Sequence, residues 1–229
     1  MAKLPTVKQM KFREYKPLCS GPPELWENTR YFRLNEGTTD YVNIINMPVS
    51  IGDTIEFVFL APETTFASFT ALIDGSTNDL ERLAVGFSPT GKFFFDHGIA
   101  SSLELDGAPF LFSSDFPIDG KLHSLKITLS ANAAGRSVEK LLASRFGGIN
   151  YRGVVFDFMH KSSTGDLLRG YSISDNSDTI VDSVGGKNGT VINGNPDDWG
   201  LFKKLPNGNW QGINLSAAWD STDQILEFA

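Results

Sequence analysis

Hydrophobic and polar positions alternate along this chain in short runs, and turn-forming residues separate the runs. Residues 54–60 alternate and then become continuously apolar, which is typical of a strand buried between two layers. Residues 122–129 alternate over several residues, and residues 151–159, rich in β-branched and aromatic side chains, are the clearest predicted strand. Residues 88–91 (Ser-Pro-Thr-Gly) predict a tight hairpin between two such runs.

The same pattern recurs at intervals of about 8–12 residues, which is typical of an all-β sandwich or barrel. Further strands are predicted at residues 31–34, 41–45, 69–73, 83–87, 92–95, 102–105 and 109–112. Residues 137–144 form the one segment that is predicted to be helical.

The distribution of prolines divides the chain into three regions. Pro5, Pro17 and the Gly-Pro-Pro run at 21–23 leave little room for regular structure near the start, so residues 1–28 are predicted to form an extended arm. Residues 29–198 are predicted to form the β domain. Residues 199–229 are predicted to be an ordered C-terminal tail that packs on or beside that domain.

Composition excludes several classes of protein. The chain has 229 residues, 41% hydrophobic and 21% charged, which is enough apolar sequence to build its own core. The single cysteine, Cys19, excludes an intrachain disulfide and a cysteine-rich metal centre. No apolar run approaches the roughly 18 residues of a transmembrane helix, and the first thirty residues lack the apolar stretch of a signal peptide. We therefore expect a protein made in a cytoplasm, without a membrane partner.

Charge is divided unevenly along the chain. The net charge is −7, but residues 1–16 hold five basic residues against one acidic residue, which is +4 and leaves −11 for the remainder. This division predicts that the arm docks onto something acidic, such as a neighbouring copy; the alternative is a solvated, partly disordered terminus. The acidic total argues against a general nucleic-acid binder. The basic residues of the arm are Lys3, Lys8, Lys11, Arg13 and Lys16.

Four segments, taken together, resemble the concanavalin A-like (laminin-G-like) jelly-roll domain. Residues 31–44 resemble its opening strand pair, 119–128 its "DGkWHhvavt" strand, 146–158 a strand near its end, and 182–194 the Gly-rich stretch that often follows. The resemblance implies an antiparallel two-sheet jelly-roll sandwich preceded here by the extended arm. That fold hosts lectins, adhesion modules, glycoside hydrolases and virion proteins, so it does not fix a function.

Catalytic residues are not evident. Glycoside hydrolases of this fold place carboxylates at alternate positions of one strand, where one donates a proton and another attacks or activates water. Glu104 and Asp106 have this spacing, but Asp106 precedes Gly107, which favours a turn. We expect His97 to lie in a loop beside a hairpin, and His123 to face solvent or a neighbouring strand. We therefore expect a protein that is not an enzyme.

Some residues are of the types that bind calcium or carbohydrate, and each of these residue types also has an ordinary structural role. Calcium needs closely spaced oxygen ligands, but Asp and Asn are also ordinary turn residues, so we expect no cofactor, with calcium as the alternative. The calcium candidates are Asp74, Asn78 and Asp79, and a second group of Asp175, Asn176, Asp178 and Asp182. Sugars stack on exposed aromatic rings and bond to amides. The carbohydrate candidates are Trp199, Asn207, Trp210 and Trp219, whose indole rings could instead plug the sandwich against its own tail.

The basic arm ahead of a sandwich resembles the layout of bacteriophage decoration and tail proteins. We therefore expect a non-enzymatic virion structural protein, on the capsid or the tail, made in the host cytoplasm. Its expected partners are other virion proteins and copies of itself, with host-surface glycans left open. The alternative is a lectin-like carbohydrate-binding module of cellular origin, and a glycoside hydrolase is a third and weaker interpretation.

Overall fold

The computed structural model describes thirteen segments of the chain. These are residues 30–33, 41–60, 70–75, 83–88, 90–95, 98–112, 114–119, 122–141, 154–172, 179–192, 199–204, 210–214 and 226–228. The predicted arm, with its five basic residues, lies outside the described residues.

The described segments form two antiparallel sheets. The larger sheet contains β1 (Arg30–Arg33), β3 (Thr54–Leu60), β7 (Ala100–Leu105), β8 (Ala108–Phe110), β9 (Leu122–Leu129), β11 (Val154–Lys161), β12 (Leu167–Ser172), β15 (Trp199–Lys204), β16 (Trp210–Asn214) and β17 (Leu226–Phe228). The smaller sheet contains β2 (Tyr41–Pro48), β4 (Thr70–Asp74), β5 (Val85–Phe87), β6 (Phe93–Phe95), β10 (Ser137–Leu141), β13 (Thr179–Ile180) and β14 (Gly189–Ile192).

The strand orders are those of a sandwich in which strands distant in the sequence are neighbours. The larger sheet runs β17-β16-β15-β1-β11-β3-β9-β7-β8, and β12 pairs with the remaining part of β11. The smaller sheet runs β13-β14-β2-β10-β4-β5-β6. This confirms the predicted all-β, two-sheet antiparallel sandwich, and the arrangement is compatible with a jelly roll.

The core lies between the two sheets and is rich in phenylalanine. Along β3, Ile55, Phe57 and Phe59 occupy alternate positions and are at most 1% exposed, as the period of a strand requires. The ring of Phe57 packs edge-on against Phe158 of β11 at 5.0 Å, and that of Phe59 stacks on Phe116 at 5.3 Å. Burying one such side chain stabilises the fold by about 2–3 kcal/mol.

Strand β3 is buried on both faces, which explains why its sequence stops alternating. Val58 and Glu56 point away from the core and are nevertheless only 2% and 3% exposed. A buried carboxylate requires a partner, and the Lys161 ammonium lies 2.8 Å from Glu56 Oε2. The apolar run predicted from the sequence therefore corresponds to a strand covered on both sides.

The predicted helix at residues 137–144 is wrong, because its first five residues form strand β10. Glu139, Lys140 and Leu141 favour helices locally, but β10 lies between β2 and β4 and pairs with both. Val138 is fully buried opposite Met47 of β2. Tertiary pairing and burial override the local helix propensity here.

The hairpin between β7 and β8 has a two-residue loop, Asp106-Gly107. Both loop residues have positive φ, 52° and 78°, as a type I′ turn requires. Aspartate tolerates this left-handed conformation better than most residues with a side chain, and glycine tolerates it freely. The turn role predicted for Asp106 is confirmed.

Strand β8 ends the larger sheet, and its proline leaves that edge without a hydrogen-bond donor. The Asp106 N–H donates to the Ser124 carbonyl of β9 at 2.9 Å, so by alternation the backbone of Glu104 also faces β9. Pro109 lies opposite Glu104, and its nitrogen therefore points to the open edge. Since proline has no N–H, this edge is poorly suited to pairing with another strand.

Strand β1 lies between β11 and β15, so the two ends of the described chain meet inside one sheet. Arg30 lies opposite Leu201, and Phe32 lies opposite both Trp199 and Val155. The region predicted as a tail thus contributes three strands to the larger sheet, in the order β15, β16, β17 outward from β1.

Candidate functional site

The two carboxylates with glycosidase-like spacing are held by bonds within the sheet. Glu104 Oε1 accepts from the Lys126 ammonium at 2.9 Å. Asp106 Oδ1 accepts from the Ser124 N–H at 2.9 Å, while its Oδ2 lies 2.7 Å from His123 Nδ1. Both carboxylates therefore have structural partners that fix the β7–β8 hairpin against β9.

His123 faces a neighbouring strand, which was one of the two expectations for it. It lies opposite Phe59 of β3, with ring centroids 5.8 Å apart, and is 9% exposed. Its Nδ1 is next to Asp106, and its Nε2 lies 3.1 Å from Asp119 Oδ1. This cluster of His123, Asp106 and Asp119 is not predicted from the sequence. The sequence signal for it is the pair of dipeptides Asp106-Gly107 and Asp119-Gly120, with His123 four residues after Asp119.

A second imidazole–carboxylate pair is buried at the end of β11. His160 Nε2 lies 2.8 Å from Asp53 Oδ2, and both side chains are almost completely inaccessible. Asp53 Oδ2 also accepts the Ser50 N–H at 2.9 Å, and this ties the turn between β2 and β3 to β11. The other ring nitrogen, His160 Nδ1, is buried without a hydrogen-bond partner. His97 lies outside the described residues.

Asp182 is the most completely bonded carboxylate in the described part of the chain. Its side chain is fully buried, and its Oδ2 accepts from Arg169 Nη1 at 3.0 Å. Burial alone would raise the pKa of Asp182, but four backbone N–H donors hold that pKa below the usual 3.8. The donors belong to Gly185, Gly170, Val184 and Lys187.

The glycines around Asp182 are required by close packing. A Cβ added at Gly185 would collide with the Arg169 guanidinium, and one added at Gly170 would lie 2.7 Å from Ser183 Oγ. The sequence resemblance pointed to residues 182–194 as a Gly-rich stretch. The structure gives a physical reason for two residues of this stretch. Asp182 accepts hydrogen bonds from the backbone of the loop, and Gly185 leaves room for the Arg169 guanidinium.

Tyr171 packs beside this carboxylate, and its ionisation provides a testable prediction. Its O–H donates to the Lys187 carbonyl at 2.9 Å. Burial, followed by the negative charge of Asp182, raises the pKa of Tyr171 to about 12, and Arg169 opposes that shift. Because the folded pKa exceeds the unfolded value of 10.0, the stability contributed by the protonated phenol is complete below pH 10 and is lost as the pH rises towards 12.

Ionisation of Tyr171 can be followed by titrating wild type and Tyr171→Phe with base and recording absorbance at 295 nm. We expect the difference between the two absorbance curves to have its midpoint near pH 12. A midpoint near 10, the value of an exposed tyrosine, would contradict the described burial. Far-UV circular dichroism recorded in parallel shows whether the fold persists through the titration.

The calcium candidates are only partly described. Asp74 Oδ1 accepts the N–H of Gly75 at 2.8 Å, while Asn78, Asp79, Asp175, Asn176 and Asp178 lie outside the described residues. Asp182, from the second group, is engaged by an arginine and four N–H donors, an environment suited to a carboxylate without a metal. In the described segments, no group of three or more His, Cys, Asp or Glu residues is placed to hold a metal ion.

Two of the four carbohydrate candidates lie in the hairpin of β15 and β16. Trp199 begins β15, and Trp210 begins β16 opposite Lys204. The two tryptophans thus occupy opposite ends of the hairpin, separated by five residues, or about 17 Å, along the strand direction. Asn207 and Trp219 lie outside the described residues.

The outer face of the smaller sheet carries a row of polar residues. Its members occupy directly opposed positions on five neighbouring strands and alternate with a buried row that includes Val42. They are Thr179, Thr190, Asn43, Lys140 and Asp74. The first three are exposed, Asp74 at the other end of the row is fully buried, and the Lys140 ammonium lies 4.8 Å from the centre of the adjacent Tyr41 ring.

Three exposed apolar side chains lie in the segment that follows β8 in the chain, and one of them, Leu111, is the most exposed of the large apolar side chains in the described residues. Leu111 is 71% exposed, Phe112 44% and Ile118 42%. Asp115 and Asp119 lie in the same segment, with side chains 73% and 42% exposed. These five residues are called the edge surface below. Apolar side chains of this size rimmed by polar groups mark an interaction site more often than a solvated face.

Comparison of the chain with protein-family models, with curated proteins and with solved structures finds no match. Within the described segments, no helix has the length and apolar character needed to cross a membrane.

Proposed function

We propose that the protein is a non-enzymatic structural component of a bacteriophage virion, a capsid decoration or tail protein that assembles with copies of itself and with other virion proteins. The observation that carries the proposal is the edge surface, in which three exposed apolar side chains and two carboxylates lie within nine consecutive residues after strand β8. The +4 charge of residues 1–16 against the acidic remainder supports assembly between copies.

The bonding of the acidic and imidazole groups favours a role without catalysis. Glu104, Asp106 and Asp182 each accept hydrogen bonds from fixed donors of the fold. Both nitrogens of His123 face carboxylates, and His160 is buried with Asp53. A general acid or base needs a free position that faces a substrate, and these groups are used to hold strands together.

Deletion of residues 1–28 tests the proposal. We expect the full chain to self-associate in light scattering and to be incorporated into particles of the encoding phage, and the deletion to lose both properties while keeping its melting temperature. A variant with all five basic residues of the arm changed to glutamine separates charge from length. A monomeric full chain, together with normal incorporation of the deletion, would refute the proposal.

Binding of carbohydrate is the second candidate, favoured by the polar row on the smaller sheet. Exposed Asn43 and Thr190 are hydrogen-bonding groups of the kind that orient sugars, and Tyr41 lies beside them. A glycan array that shows sharp binding abolished by Asn43→Ala or Trp210→Ala would favour a lectin-like module. Serine substitution of the exposed Ile51 is the matched control, and it should leave binding unchanged.

A further inference from the structure

We propose that the edge surface binds the basic N-terminal segment, residues 3–16, of a neighbouring copy of this chain. This inference rests on the proposed function and adds the site at which the copies meet. The charge and the apolar pattern of that segment complement the surface.

The edge surface is held in place before any partner binds. Between its exposed members lies Phe116, which is 2% exposed, stacks on Phe59 and meets Phe93 edge-on at 5.2 Å. The Phe116 N–H donates to the Gly91 carbonyl at 2.7 Å. This anchor fixes the segment on the sandwich, so Leu111 and Ile118 remain exposed on an ordered backbone, and little ordering free energy is spent on binding.

The surface carries carboxylates as well as apolar side chains. Residues 111–119 contain Asp115 and Asp119 and no lysine or arginine. Asp115 pairs with Lys92 and its side chain is 73% exposed, while Asp119 lies beside His123 and its side chain is 42% exposed. Partly solvated carboxylates next to apolar side chains favour a partner with interleaved cations and apolar groups.

Residues 3–16 have this composition. Five cations alternate or nearly alternate with Leu4, Val7, Met10, Phe12 and Tyr15. In an extended chain, Met10 and Phe12 lie on one side and Lys11 and Arg13 on the other. The first side matches the exposed Leu111 and Phe112, and the second can reach the carboxylates at the rim.

Binding is expected to use side chains and not the addition of a strand to the sheet. Strand addition needs backbone donors and acceptors along the open edge, and Pro109 removes the donor at the centre of β8. The apolar and charged side chains of residues 111–119 provide the alternative. Association should therefore weaken as salt screens the charges, while retaining an apolar component.

Variants of the edge surface test the site while leaving the core intact. We expect Leu111→Ser combined with Asp115→Lys to weaken self-association of the full chain about tenfold or more in sedimentation velocity, at an unchanged melting temperature. Changing Lys11 and Arg13 to glutamate should weaken association similarly. A protein that combines Lys11→Glu and Arg13→Glu with Asp115→Lys should recover part of the association, because the charges of the two partners have been exchanged. Ile45→Ser, at an exposed position of the smaller sheet, is the matched control.

Cross-linking distinguishes a neighbouring copy from the same copy. In a Cys19→Ser background, Phe12→Cys with Leu111→Cys should form disulfide-linked dimers and higher species under oxidising conditions. An exclusively intramolecular disulfide would overturn the proposal.

The docking site and the assembly function can fail separately. If deleting residues 1–28 abolishes association but Leu111→Ser and Asp115→Lys leave it unchanged, only this docking site is overturned. A full chain that stays monomeric at all concentrations would overturn the proposed assembly function as well.

Discussion

Replacing Asp182 with alanine is expected to lower the free energy of unfolding by about 3–5 kcal/mol, the cost of removing one partner of a buried, hydrogen-bonded charge pair. The change leaves the largely buried Arg169 guanidinium without its carboxylate and removes the acceptor of four backbone N–H groups. Urea denaturation followed by tryptophan fluorescence measures the loss. Asp166→Ala is the matched control, because Asp166 bonds only within an exposed turn, and its loss should cost less than about 1 kcal/mol.

The pH dependence of stability gives an independent check on the same residue. Since the pKa of folded Asp182 lies below its unfolded value, its contribution is complete above that value and is lost as the pH falls through the folded pKa. Wild type should therefore lose stability more steeply below about pH 4 than Asp182→Asn does. Parallel acid profiles of the two proteins, or a loss below 1 kcal/mol for Asp182→Ala at pH 7, would contradict the described bonding.

Replacing Phe59 with alanine is expected to cost about 3–5 kcal/mol, since it removes a ring from a closely packed aromatic cluster. Phe59 is inaccessible to solvent and contacts both Phe116 and the His123 ring. The cavity would lie under the anchor of the edge surface, so the variant should also weaken self-association. Thermal unfolding measures the first effect and sedimentation velocity the second.

Phe112→Ala is the matched control for the core variant, since Phe112 is 44% exposed and meets Phe95 only at its edge. Its loss should change the melting temperature little, while weakening association if the edge surface is the contact. Equal destabilisation by the two substitutions would show that the aromatic cluster is not packed as described.

Much of the fold follows from hydrophobic period and turn chemistry. The predicted bounds of β3 and β9 match those of the structure, the hairpin predicted at residues 88–91 is present, and the turn predicted at Asp106-Gly107 joins β7 to β8. Strands of this kind carry their own signal, because one face, or both, is buried in the core. Their identification needed no knowledge of their neighbours.

Other elements could not be predicted because their structure depends on distant partners. Strand β10 has a locally helical sequence and is extended because β2 and β4 flank it. Strand β12 contains Arg169 and Gly170 in its centre, and its role becomes clear only beside Asp182. The same holds for His123, whose partners come from a turn and from a loop.

The position of β1 has a consequence for how the protein folds. Its partner on one side, β15, is encoded about 170 residues after it, as the pairing of Arg30 with Leu201 shows. During translation β1 remains without that neighbour until about 170 further residues have been made, and contacts of such large sequence separation are characteristic of slow folding. If the N-terminal segment binds a neighbouring copy as proposed, β1 joins it to a completed sheet only late, and the contact between copies would follow formation of the sandwich.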